Sequence, residues 1–279
     1  MRHEDKSGDA LLFLIITVSL NLFVFWGPLA VFKISAASFD SGTSGPGWAV
    51  ALFIIGGFTP SLTAVVLILI GKGPKHLLIM IKRLNPFGVS LRWHVIMLLV
   101  VALGTAGQLA IVRLIGGTFD YSLFGSRILW LLPLLILGPL SEELGLRGYA
   151  LDRLQSRFSA LTSSLITGLC WALWHLPLFY ITGTSQNIYG MSFIAFSIGL
   201  LAMSVLYTWV YNNTSGSIWG AVFFHWIFTY SLDTIGSGLA PPPKLYHLLQ
   251  YIPYILLAAG VIIIWGPARL SREGVPEEE

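Results

Sequence analysis

Glutamates 142 and 143 stand side by side in Leu137-Gly-Pro-Leu-Ser-Glu-Glu-Leu-Gly-Leu-Arg-Gly148, one of the most apolar stretches of the chain. A carboxylate at bilayer depth costs roughly 2.5–3.5 kcal/mol on insertion scales unless it is paired or wet. Two of them, with Arg147 one turn further on, are hard to explain as packing. The other ionisable groups deep in apolar runs are His175 and His225; Asp233 and His247 fall near run ends, and His3, His76 and His94 lie outside or at the rim. Glutamate and histidine at a point that water reaches can hydrolyse a peptide bond. Glu142 would take a proton from the water, one histidine would orient that water or protonate the leaving amine, and the other would stabilise the oxyanion. Glu142, His175 and His225 could equally hold Zn²⁺ with an open fourth position. The single-helix His-Glu-x-x-His motif is absent, so such a metal has to be assembled from three helices. Both versions, with metal and without, stay open at this point. A serine or cysteine nucleophile is not apparent: Ser141 lacks a nucleophile elbow, and Cys170 lacks a clear base.

Helical spacing separates the two glutamates. Glu143 and Arg147 are four apart on one face, in the favourable acid-before-base order. Glu142 is turned about 100° away, free to face a partner helix. Gly138-Pro139 just before them is expected to break the helix and free backbone groups. Gly145 and Gly148 allow a neighbouring helix to come close. An internal polar network that only fixes helix register is the alternative reading of these residues. Against it stands the similar depth at which Glu142, His175 and His225 fall in their spans.

The elements that must position these groups are membrane helices. The 279 residues are 55% hydrophobic and only 10% charged, with mean hydropathy +0.78, whereas soluble domains carry about 25% charged residues. We expect an all-α polytopic bundle of about eight transmembrane helices, near 10–33, 47–71, 93–116, 127–152, 160–181, 190–211, 215–235 and 245–268. Turn residues separate them at Gly42 to Gly47, Lys72 to Pro74, Gly116-Gly117, Asn212-Asn213 and Ala240 to Pro243. The first run is too long for a signal-peptide core and reads as a retained helix. Residues 77–84, short, basic and amphipathic, are expected to lie along the inner interface. One cysteine leaves no internal disulfide. The net charge of +3 reads as topology-setting basic residues rather than a nucleic-acid surface, and no nucleic-acid partner is expected. Lys72, Lys75, Lys82, Arg83, Arg92, Arg153 and Arg157 fall on one side of an eight-span chain, together with Arg2, Lys6, Arg269 and Arg272. The positive-inside rule then places both termini in the cytoplasm, and we expect a multi-pass plasma-membrane protein. Counted from that side, Glu142 lies about 16 Å deep, His175 about 22 Å and His225 about 15 Å, at helical rise. Three helices thus bring a carboxylate and two imidazoles to a similar level.

Glu142-Glu143-x-x-x-Arg147-Gly-Tyr, then Trp171-x-x-x-His175, then His225 in a late span resemble the three motifs of the CPBP intramembrane proteases, over about 126–231. That family includes the type II CaaX prenyl endopeptidases and the lysostaphin-resistance A-like immunity proteins. The resemblance implies a helical membrane hydrolase that cuts membrane-associated peptides, with a peptide or lipidated protein as substrate. It makes Glu142 the water-activating base, supported by Glu143 and Arg147. His175 works with Glu142, and His225 serves the oxyanion. The family is often labelled metalloprotease, and a glutamate mechanism without metal has been argued for its prenyl-processing members, so the cofactor is either Zn²⁺ or none. The third motif usually continues to Asn or Asp, where this chain has Thr229, which offers one hydroxyl donor in place of an amide's two. Asp233, one turn on, is a conceivable substitute. Trp171 stands where phenylalanine is common, an exchange that should be tolerated. We divide the chain into 1–125, N-terminal helices and the interfacial segment; 126–231, the protease-like core; and 232–279, the last helix and a cytoplasmic tail. Two other functions fit the same residues. One is a proton-coupled transporter, against which no paired repeat is seen; the other is a catalytically idle scaffold or immunity protein, to which Thr229 lends weight.

Overall fold

The computed structural model describes residues 6–35, 45–239 and 244–272. Arg2 and the turn residues 42–44 and 240–243 lie outside them. The described residues form helices and connections, with no strand among them. We number the helices α1 (Ser7–Val31), α2 (Gly47–Gly71), α3 (Pro74–Lys82), α4 (Leu91–Leu114), α5 (131–155), α6 (Ala160–His175), α7 (Phe193–Asn213), α8 (Ile218–Gly238) and α9 (Lys244–Trp265).

Among the described residues six helices are long and apolar enough to cross a bilayer: α1, α2, α4, α6 with its short extension to Phe179, α7 and α9. The fourth and seventh expected spans are helical but differ in kind. The α5 segment is interrupted by two π-helical stretches, Ile136–Leu140 and Leu146–Leu151, on either side of a five-residue α-helical piece, Ser141–Gly145. Helix α8 has 21 residues, but His225, Thr229, Ser231, Asp233 and Thr234 dilute its apolar character. The two polar-bearing segments are thus the ones that carry the first and third motifs. Large apolar side chains turned outward, such as Ile70, Leu103, Leu256 and Ile263, are left more than half exposed, as expected where lipid rather than water is the solvent.

Local chemistry explains where the motif-bearing helices start and break. Ser159 caps α6 by accepting from the Thr162 N–H at 3.1 Å, and Ser217 caps α8 by accepting from the Gly220 N–H at 3.2 Å, each satisfying an orphan donor of the first turn. The loop before α8 turns through Gly216 at φ +70°, a left-handed conformation that glycine adopts without strain. In α5, two hydroxyls add donors to the backbone beside Gly138-Pro139. Ser141 Oγ donates to Gly138 O at 2.8 Å, and Ser61 Oγ from α2 donates to Leu140 O at 3.0 Å.

Close packing then locks α5 in place. A Cβ on Gly145 would lie 2.4 Å from the Pro60 carbonyl oxygen, so α2 and α5 touch backbone to backbone there. A Cβ on Gly168 would lie 2.9 Å from Ser204 Cβ, which brings α6 and α7 together at the same level. The short basic helix α3 acts as a clamp at one end. Arg83, just after it, donates to Gly216 O from Nε and Nη2 at 2.9 and 2.7 Å. The same guanidinium pairs with Asp152 at 3.0 Å, while Tyr211 OH donates to the other oxygen of Asp152 at 2.6 Å. One arginine therefore ties the end of α5 to the loop that launches α8, the two segments carrying the glutamates and His225.

Candidate active site

Glu143, Arg147 and His225 form one buried cluster. Arg147 and Glu143 are fully buried. Arg147 Nη1 lies 3.2 Å from one Glu143 oxygen and 3.1 Å from the other. His225 Nδ1 lies 2.8 Å from Glu143 Oε1. The i,i+4 pairing read from the sequence is present, and a second partner, from α8, completes it. Arg147 reaches further: Nη2 donates to Ser204 Oγ at 3.1 Å, and Ser204 Oγ in turn donates to Ser164 O at 2.8 Å. The guanidinium lies 4.8 Å above the Tyr207 ring and 5.5 Å from that of Trp171, positions in which cation–π attraction contributes. Tyr207 also stacks on His225, with centroids 5.1 Å apart and an interplanar angle of 28°.

Glu142 points elsewhere, as the 100° per residue of a helix requires. It is 6% exposed and accepts a hydrogen bond from the Trp171 indole N–H. Trp171 is the hub between the motifs. Its ring meets His225 edge-on at 5.5 Å and His175 at 5.6 Å. Its carbonyl accepts from His175 Nδ1 at 2.9 Å. A carbonyl only accepts, so the proton sits on Nδ1, and Nε2 is the nitrogen left for chemistry. His175 is half-buried between Trp174, at 4.5 Å, and Phe196, at 5.3 Å. Glu142, His175 and His225 are therefore gathered around one indole, although no hydrogen bond joins Glu142 to either histidine among the described residues.

Thr229 lies half-buried one turn beyond His225. Asp233 is turned away to an ion pair with Arg127 at 2.6 Å, which occupies the group considered as its substitute. The zinc arrangement does not fit this geometry. Among the described residues no three His, Cys, Asp or Glu side chains converge as ligands on one point. The label metalloprotease thus finds no support in the donor set. Two contributors escaped the sequence reading. Ser204 and Tyr207 are ordinary residues of a membrane helix, and nothing marks them in one dimension. Trp171 was visible from its place four residues before His175, but its indole N–H does what phenylalanine cannot.

The fold and cluster define a polytopic helical membrane protein with a buried carboxylate, guanidinium and imidazole site. Residues 124–231 match the family model described as Type II CAAX prenyl endopeptidase Rce1-like. The chain is also similar to a protein named CAAX prenyl protease 2 from Methanococcus maripaludis, 34% identical over 116 residues, which is 40% of this chain and 43% of that protein. The match thus spans less than half the length of this relative. Residues 124–231 are thus similar to the type II CAAX prenyl endopeptidases, in line with the resemblance of the three motifs.

Proposed function

We propose that the chain is an intramembrane endopeptidase that hydrolyses peptide bonds of membrane-associated substrates, of the lipidated CaaX type that the relative's name indicates, with Glu142 activating the water. The observation that carries this reading is the separation of the two adjacent glutamates. Glu143 is neutralised by Arg147 and His225, whereas Glu142 turns to the Trp171 indole and keeps a little exposure. Two neighbouring carboxylates held in such different surroundings are the usual mark of divided roles in catalysis.

In the reaction, water between Glu142 and the scissile carbonyl gives a proton to Glu142 as its oxygen adds to the carbonyl carbon. The oxyanion is met by His225, whose protonated ring offers an Nε2–H donor while Glu143 carries the compensating charge. Thr229, one turn on, adds at most a single hydroxyl donor where an amide would offer two. Collapse of the tetrahedral species breaks the C–N bond, and the proton on Glu142 passes to the leaving amine. His175 holds the water through Nε2. The site lies in the segment 126–231, which we assign as the protease-like core. We also propose a plasma-membrane location with both termini cytoplasmic, because the basic residues of α3 and its flanks, together with Arg153 and Arg157, then share the inner side.

The test is cleavage of prenylated and unprenylated CaaX peptides by purified protein in liposomes. Glu142→Gln and His175→Ala are expected to abolish cleavage while the proteins insert and melt normally. Retained cleavage in both variants would falsify the assignment. Proton uptake into the vesicles that depends on Glu142 would point instead to a transporter.

A further inference from the structure

We propose that Asn21, on α1 and outside the family-matched segment, is a positioning residue for His175. The inference rests on the protease reading for its kinetic consequence, and on geometry alone for its structural one. Helix α6 ends at His175 and continues as a 3₁₀ turn, Leu176–Phe179, with Pro177 inside it. In a 3₁₀ turn each carbonyl takes the N–H three residues on. For the Trp174 carbonyl that donor would come from residue 177, a proline, which has no N–H. Pro177 thus removes the three-residue donor of the carbonyl next to His175, leaving only Leu178, four residues on, as a local alternative. Asn21 Nδ2 supplies a donor from another helix, at 2.9 Å.

The surroundings show that this contact is built in. Asn21 is fully buried and opens a π-helical stretch of α1, Asn21–Phe25; such single-turn bulges recur at functional sites. Trp26, just after that stretch, donates from Nε1 to Phe53 O at 2.7 Å and packs its ring 4.6 Å from Trp174 and 6.4 Å from His175. Trp174 Nε1 donates to Thr59 Oγ1 at 2.8 Å, and that hydroxyl donates to Gly56 O at 2.8 Å. The fit leaves no spare room: a Cβ on Gly56 would lie 2.4 Å from Trp26 Nε1 and 2.9 Å from Asn21 Oδ1. Helices α1 and α2 thus form a cradle that holds the backbone and the flanking ring of Trp174, and with them the height and tilt of the His175 imidazole. Asn21 touches no reacting atom; it acts through the peptide unit beside the histidine.

The experiment compares Asn21→Ala with Asn21→Ser, which differ by one hydroxyl donor. Histidines carry ¹⁵N, and the His175 ring resonance is identified by its loss in His175→Ala. In Asn21→Ala the His175 resonance is expected to move while those of the other five histidines stay. The kcat for peptide cleavage is expected to fall at least tenfold, toward the 100-fold that a small misplacement costs, with KM within twofold. Asn21→Ser should recover part of both. An unmoved resonance, or full kcat alongside an inactive Glu142→Gln control, overturns the proposal. If Glu142→Gln also cleaves, the protease reading fails, and the resonance still decides whether Asn21 sets His175. Should Asn21→Ala not fold, Asn21→Leu fills the space without a donor and carries the same two readouts.

Discussion

Arg147→Met is the perturbation that bears hardest on the buried cluster. The guanidinium is wholly buried, pairs with Glu143 at 3.1 Å, donates to Ser204 and lies over two aromatic rings. Methionine fills much of the same volume, so the loss is mainly electrostatic. Removing one partner of a buried ion pair leaves the other uncompensated and costs about 3–5 kcal/mol. His225 stays 2.8 Å from Glu143 and retains part of the carboxylate's partnering, so we place the loss at about 3 kcal/mol, the lower end of that range. In a chain of this size that corresponds to a fall in Tm of order 10 °C. The double variant Glu143→Gln/Arg147→Met removes the stranded charge and should recover at least half of the fall, a coupling that contacting residues show and distant ones do not. The assay is available in the molecule: Cys170 is the single cysteine and lies half-buried on α6, so a dye that fluoresces on reaction with thiol reports the melting of that helix in detergent. A drop of less than 2 °C in the single variant, or an equal drop in the double, refutes the view that Glu143 is ionised and held by Arg147.

Two further outcomes rest on particular contacts. Trp171→Phe keeps the ring that meets His175, His225 and Tyr207 but deletes the donor to Glu142; a hydrogen bond to a charged group is worth about 1.5–3 kcal/mol, so kcat/KM should drop about tenfold or more, with Tm moving less than in Arg147→Met, and unchanged peptide cleavage would show that the indole does not orient Glu142. Gly145→Ala places a methyl 2.4 Å from the Pro60 oxygen, whereas Gly138→Ala meets nothing within 4 Å; the first should lower Tm and yield sharply, the second should leave both near wild type, and equal behaviour of the two would contradict the backbone contact between α2 and α5.

The candidate site of this chain was legible where a residue type clashes with its surroundings. Glu142, Glu143, Arg147, His175 and His225 stand out because an ionisable group in an apolar run is costly, and the structure gathers them around Trp171. Their partners were not legible, because Ser204, Tyr207 and Asn21 are polar groups that membrane helices commonly carry, and their importance comes from which helix they face. Zinc was an open reading for the same reason: one glutamate and two histidines at one depth do not say whether their ligand atoms converge, and among the described residues no three such side chains do. The expected span over 127–152 misses its own most telling feature. A π turn takes one residue more than an α turn, so each such stretch shifts the register of the helix after it by about 100°. With one on each side of Ser141–Gly145, the glutamates ride on a short piece whose orientation is set apart from the helix above and below it. Hydroxyls of Ser61 and Ser141 donate to two carbonyls at the first of these stretches. Glu143 and Arg147 still meet across the second junction, which shows that the irregular backbone is arranged around the pair. Regular spacing predicts which residues can share a face; where a helix is broken to aim two carboxylates apart, the break itself is the better guide to the site.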